Sequence, residues 1–193
     1  MQKSRLEAFS DGVLAIVLTI MVLELKVPHG ARLADLLPLL PVFLSYVLSF
    51  IYVGIYWNNH HHLFQAAKHV NGQVLWANLH LLFWLSLTPF ITAWAGENDF
   101  AEWPMALYGF VLLMSGMAYF ILSQTLIRLH GKDSVLANAV GRDRKGQLSL
   151  VCYLTAIGLA FWQPLLSGLI YVGVAILWIV PDKRIANALQ TPK

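Results

Sequence analysis

Six stretches of this chain are apolar over lengths suited to the roughly 30 Å hydrocarbon core of a bilayer. They fall near residues 8–27, 38–59, 72–95, 104–128, 148–163 and 165–181. No water is available there to satisfy a backbone, so the spans must be helices or a closed barrel. Continuous apolar runs without two-residue alternation select helices. The expectation is an all-α, polytopic membrane protein with six transmembrane helices, forming one domain over residues 1–193. Composition agrees. Only 12% of residues are charged and 58% are hydrophobic, where an ordinary soluble domain carries about a quarter charged, and mean hydropathy is +0.63.

The fifth and sixth spans are short and separated by Gln163-Pro164. Read as one helix they would be far too long, and Pro164 would break it, so a tight helical hairpin is expected, with a re-entrant pair as the alternative. The first span continues into Glu24 and Lys26 without a small-residue cleavage site, unlike a secretory leader.

Loop charges set the orientation. One side collects Lys3, Arg5, Lys68, Arg128, Lys132, Arg142, Arg144, Lys145, Lys183, Arg184 and Lys193; the other holds only Lys26 and Arg32. Eleven against two places both termini in the cytoplasm. Residues 129–147 form the longest polar connection and are expected as a cytosolic loop with a short helix. Trp57, Trp76, Trp94, Trp103 and Trp178 lie near span ends, as interfacial anchors do.

The segment Arg5–Val27 holds the most specific pattern. A polar Phe9-Ser10-Asp11-Gly12 knot precedes an apolar run from Val13 to Leu23, interrupted only by Thr19. At about 100° per residue, Phe9, Gly12, Ile16, Ile20, Leu23 and Val27 share one stripe, with Thr19 at its edge. Ser10 and Asp11 point elsewhere. Such a stripe is commonly the buried face of a bundle, but in lipid every side of a helix is apolar, so it need not mark the core. An acid within a span usually has a partner or a task.

Asn58-Asn59-His60-His61-His62 closes the second span. Adjacent residues on a helix diverge by about 100° and cannot share one metal. His80 in the third span adds no nearby Cys or second carboxylate, and Cys152 stands alone, so no metal site is expected. Hydrogen bonds from this cluster to Ser10 or Asp11, at the same depth, fit better, and histidine protonation would make them pH-sensitive. No nucleophile with a base appears at one depth, so an enzyme is not expected. Neither a cofactor nor a nucleic-acid partner is called for.

Arg5-x-x-x-Phe9-Ser10-Asp11-Gly12 opening a first membrane helix resembles the signature of the endosomal–lysosomal potassium channel family and its prokaryotic relatives. The likeness continues through V-L-A-I-V-L-T-I-M-V-L-E-L and into Trp57-x-x-His60-His61-x-Leu63-Phe64. The resemblance implies a homotetramer in a prokaryotic plasma membrane, with the first helix of each subunit lining a central potassium pore. It implies a hydrophobic constriction at Ile16, Ile20 and Leu23, and a part in potassium selectivity for Thr19. It also implies a network of Arg5, Phe9, Ser10 and Asp11 with His60 and His61 that ties the pore helix to its neighbours. The stripe found by spacing alone brings together the same three apolar residues.

The chain has no T-V-G-Y-G segment, so selection by rings of backbone carbonyls in that geometry is not expected. A narrow apolar neck would favour potassium over sodium only modestly, because potassium gives up hydration more readily. Glu24, near the extracellular mouth, would raise local cation concentration or be simply a solvated helix-end carboxylate. The alternative function is a proton- or cation-coupled secondary transporter using Asp11 and the His60–His62 cluster. That class more often shows broken helices or repeats at mid-membrane, and neither is evident in the sequence. A membrane scaffold without flux is the third reading.

Overall fold

The computed structural model describes residues 2–131, 134, 136–137 and 143–179. The described residues form seven α-helices and one 3-10 turn. In chain order they are α1 (Lys3–Leu23), the turn Leu33–Leu39, α2 (Leu40–Ala66), α3 (Gly72–Ser86), α4 (Thr88–Glu97), α5 (Glu102–His130), α6 (Arg144–Ala160) and α7 (Pro164–Ile179). The fold is all-helical and bilayer-spanning. Lys3–Leu23, Leu33–Ala66, Gly72–Glu97 and Glu102–His130 are each long and apolar enough to cross a membrane.

Local chemistry sets the helix ends. The Asn71 side chain accepts from the Val74 N–H at 3.0 Å to start α3, and Asp143 accepts from the Gly146 N–H at 2.8 Å to start α6, each satisfying an N–H that has no intrahelical partner. Pro164 opens α7, a position where its missing N–H costs nothing. Helix α1 begins at Lys3 and stops at Leu23, where Glu24 caps it through Ile20 and Val22 carbonyls. The first span is therefore displaced towards the N-terminus relative to 8–27, and Val27 lies beyond the helix.

The third span departs from the expectation of unbroken helices. It is interrupted at Leu87, which caps α3, and resumes with Thr88-Pro89 in the first turn of α4. Pro89 has no N–H and its ring crowds the preceding turn, which forces the break. The Leu85 and Trp84 carbonyls left there accept from the Leu87 N–H. Buried hydroxyls fill in around the elbow. Thr92 Oγ1 lies 2.6 Å from both the Thr88 carbonyl and Ser49 Oγ, and Ser49 meets the Tyr108 hydroxyl at 2.8 Å. The elbow is thus packed and hydrogen-bonded, as a Pro break inside a membrane requires.

Helices α6 and α7 form the expected hairpin. Helix α6 has 17 residues, about 25 Å at 1.5 Å per residue. It packs along the first half of α5: Phe161, just past its end, packs edge-on against Trp103 at 4.9 Å, while Gly116 of α5 faces Leu150 nearer its start. Ser167 Oγ donates to the Ala156 carbonyl at 2.7 Å across the hairpin. Tyr171 lies over Gly109 and donates to the Met105 carbonyl at 2.9 Å. Leu136 and Ala137 are helical, with the Ala137 N–H donating to Ser134 Oγ at 3.1 Å; the rest of the short helix expected within 129–147, Val180, Pro181, Lys132, Arg142, Lys183, Arg184 and Lys193 lie outside the described residues.

Two apolar clusters result. One joins α1, the second half of α2, α3 and the second half of α5 through Leu14, Val17, Phe64, Leu81 and Leu122. The other joins α2, α4, α5 and the hairpin around Tyr52, Ile91, Tyr108, Tyr153 and Tyr171. Helix α1 belongs to the first cluster alone and stands at the margin of the bundle.

Candidate functional site

Helix α1 has two apolar faces with different fates. Leu6, Ser10, Leu14, Val17 and Met21, spaced four, four, three and four apart, are buried against the chain's own core. The roughly opposite face carries Phe9, Gly12, Ile16, Thr19, Ile20 and Leu23, all exposed. Exposure reaches 59% at Ile16, 42% at Ile20 and 80% at Leu23. Nothing lies within 4 Å of a Cβ placed on Gly12. Val27 is exposed as well, but off the helix. The stripe found by spacing is therefore real over Phe9–Leu23, and it is the face that the chain itself leaves uncovered.

Thr19 adds one polar group to that face. Its Oγ1 lies 2.9 Å from the Ile16 carbonyl and 3.1 Å from that of Ala15. The hydroxyl proton is committed to its own helix, which leaves oxygen lone pairs free to accept or to coordinate.

Behind the stripe, three helices meet in a buried polar chain. Ser10 Oγ donates to the Leu6 carbonyl at 2.9 Å and accepts from Asn78 Nδ2 at 2.9 Å. Asn78 Oδ1 meets His60 Nε2 at 2.8 Å, so the network assigns the proton to Nε2. The His60 ring also packs on Phe64 at 4.5 Å. All three polar residues are buried. His60 thus reaches Ser10 through Asn78, which was not among the residues expected from sequence. Its signal is a lone amide in an apolar span, a position that is costly unless paired.

Asp11 belongs to a second, exposed group. Its Oδ1 accepts from Trp57 Nε1 at 3.0 Å, and His61 stacks on the Trp57 ring at 6.2 Å with planes 21° apart. Asp11 hydrogen-bonds none of the histidines. The expected network therefore separates into Ser10–Asn78–His60 within and Asp11–Trp57–His61 outside. Phe9 is exposed, and so is Arg5, which makes no ion pair among the described residues. Lys3 makes the tie there: its Nζ donates to the Phe64 and Ala67 carbonyls at 3.0 and 3.1 Å, pinning the start of α1 to the end of α2. His62 Nδ1 is buried without a partner among the described residues. His80 accepts from Trp84 Nε1 at 3.0 Å, apart from the histidine cluster. Among the described residues no three His, Cys, Asp or Glu side chains gather as a metal site would require.

At the other membrane face, Lys26 pairs with Glu97, joining the loop after α1 to the end of α4. The Glu97 carboxylate, by hydrogen bond and by charge, raises the Lys26 ammonium above its usual range.

A helical bundle with a marginal first helix, its inner face pinned by polar bonds and its outer apolar face open, defines a multi-span membrane protein built to present that helix. Residues 5–89 match the family described as endosomal/lysosomal potassium channel TMEM175. A potassium channel of Chryseobacterium sp. (strain P1-3) is 56% identical over 190 residues, 98% of this chain and 99% of that protein. A potassium channel of Streptomyces collinus is 31% identical over 171 residues, 83% of each chain. The crystal structure of a lysosomal potassium-selective channel TMEM175 homolog from Chamaesiphon minutus superposes with a TM-score of 0.78 at 28% identity, covering 92% of this chain and 96% of that one. The chain belongs to the TMEM175 family, a family of ion channels and not of enzymes.

Proposed function

We propose that the chain is a subunit of a potassium channel, a homotetramer in which α1 of each copy faces a central axis. The observation that carries this reading is the row Ile16, Ile20 and Leu23, exposed on the side of α1 turned from the chain's own core. Membership of the family supports it, as do relatives named potassium channels. Four such rows around an axis make a narrow apolar neck, which can close by dewetting. Potassium sheds part of its water there at lower cost than sodium, and four Thr19 oxygens would partly replace what is lost. Selectivity is accordingly modest. Potassium is the permeant species and no cofactor takes part.

Residues 1–193 then act as one channel domain in the prokaryotic plasma membrane, with both termini cytoplasmic by the bias of basic residues. The Ser10–Asn78–His60 chain fixes the rotation of α1, so that the apolar row points at the axis and not into lipid. Asp11, bonded to Trp57 with His61 stacked on that ring, adds a second tie to α2, and Arg5 and Phe9 stay exposed for contacts outside the subunit. The alternative, a coupled carrier relaying protons between Asp11 and the histidines, fits less well, because Asp11 and His60 sit in separate hydrogen-bond groups.

The test is potassium against sodium flux in proteoliposomes, native chain beside Ile20→Asn. Fast flux favouring potassium, rising several-fold in the variant with loss of selectivity, is expected. Absence of flux from both proteins, each folded and inserted, would sink the pore reading.

A further inference from the structure

Between α2, α5, α6 and α7 the packing leaves a cavity of about 130 Å³, separate from the α1 face. A glycine forms part of its wall. A Cβ on that residue, Gly116 of α5, would come 3.3 Å from Leu150 Cδ2 and 3.7 Å from the Tyr56 hydroxyl. Leu150 of α6 and Tyr56 of α2 already close on that glycine, so a larger side chain there would have to displace them.

The walls have two characters. Ile55, Leu150 and the rings of Tyr119 and Tyr153 supply an apolar, mostly aromatic surround, with Tyr56 and Tyr119 in edge contact at 6.3 Å. The polar groups gather at the end near the start of α6. The Tyr119 hydroxyl is engaged, donating to the Asn59 carbonyl at 3.2 Å. Asn59 uses its Nδ2 on the Ile55 carbonyl at 2.9 Å. The Tyr56 hydroxyl, the Asn59 side-chain oxygen and the Gln147 amide have no hydrogen-bond partner among the described residues, and all belong to lining residues.

This distribution selects an occupant. Water takes about 30 Å³ and needs two to four polar partners, which the apolar end does not offer. An anion would face the Asp143 carboxylate among the lining residues, and a cation would lose its hydration against mostly aromatic and aliphatic walls, with that carboxylate already accepting from the Gly146 N–H. A cavity of about 150 Å³ with apolar walls admits one benzene ring, which bounds the size. We propose that this cavity is a binding site for a small neutral amphiphile, one ring or a short chain bearing a hydroxyl. Its apolar part lies against Leu150 and Tyr153, and its hydroxyl pairs with the Tyr56 hydroxyl and the Asn59 side-chain oxygen.

Phenol is the probe, with the full chain in phosphatidylcholine nanodiscs. Binding is read by ligand-observed saturation-transfer NMR and by the thermal unfolding midpoint. The native chain is expected to bind saturably and to unfold at a higher temperature with phenol. Gly116→Leu drives its own side chain and the displaced Leu150 into the space and is expected to lose both effects. Tyr56→Phe keeps the packing but removes one hydrogen bond, and is expected to bind about tenfold more weakly. Flux without phenol stays at the native level in both variants. Three results overturn the proposal: no saturable binding by the native chain; equal effects in a folded Gly116→Leu, which marks partition into lipid; or native-strength binding by Tyr56→Phe. Should Gly116→Leu fail to fold, Tyr56→Phe still decides.

Discussion

Asn78 on α3 donates to the Ser10 hydroxyl on α1 across 2.9 Å, with both residues almost fully buried. The same amide holds His60 through its oxygen, so one side chain sets how three helices are rotated about each other. Asn78→Ala removes the centre of this chain and leaves a buried imidazole N–H and a hydroxyl oxygen without that partner. A loss of about 2 kcal/mol is expected. Ser10→Ala removes only the end of the chain and is expected to cost about 1 kcal/mol. Reversible unfolding in mixed micelles measures both. Equal losses would show that Asn78 is not the hub.

Two glycines separate packing inside the subunit from contact outside it. A Cβ on Gly96 would fall 2.5 Å from Val42 Cα and 2.6 Å from Ser45 Oγ, so α4 touches the backbone of α2 there. Gly96→Ala must push the helices apart, at about 1–3 kcal/mol. A Cβ on Gly12 meets nothing within 4 Å, and alanine is the better helix former by about 1 kcal/mol. Gly12→Ala is therefore expected to unfold no earlier than the native chain, and Gly96→Ala clearly earlier, by circular dichroism on heating.

Thr19 bonds only to its own helix. Thr19→Val keeps the shape and removes the outward oxygen. Unfolding should stay native, while the potassium-to-sodium permeability ratio falls towards one. Reversal potentials in a planar bilayer under bi-ionic conditions give that ratio; an unchanged value removes Thr19 from the selectivity step.

Asp11 tests channel against carrier. Asp11→Asn retains an oxygen able to accept from Trp57 Nε1 and removes the charge. A pore lined by the opposite face should conduct at close to native rate, with no new dependence on a proton gradient. Abolished flux in a folded protein would favour a relay through Asp11.

The spans were legible because hydropathy and length act locally, and the hairpin because Pro164 can only start a helix there. The apolar row on α1 was legible from its period. Its destination was not, since Leu6, Leu14, Val17 and Met21 make an equally apolar face, and period alone does not say which one meets the chain's own core. Pro89 carried the signal for the elbow at Leu87, but the surrounding hydropathy hid it within one long span. Asn78 was missed for another reason: its partners lie 18 and 68 residues away, and such pairings are decided by packing, not by spacing. Asp11 and Ser10 are neighbours in sequence yet serve different groups, because adjacent side chains on a helix diverge.

In the proposed assembly the row Ile16, Ile20 and Leu23 belongs to a single gene product used in every quadrant. One codon change at position 20 therefore rewrites the whole ring at once, and no mutation can alter a single quadrant. Inheritance can tune such a neck only in coarse steps, and finer grades become available only after a gene is duplicated and its copies diverge.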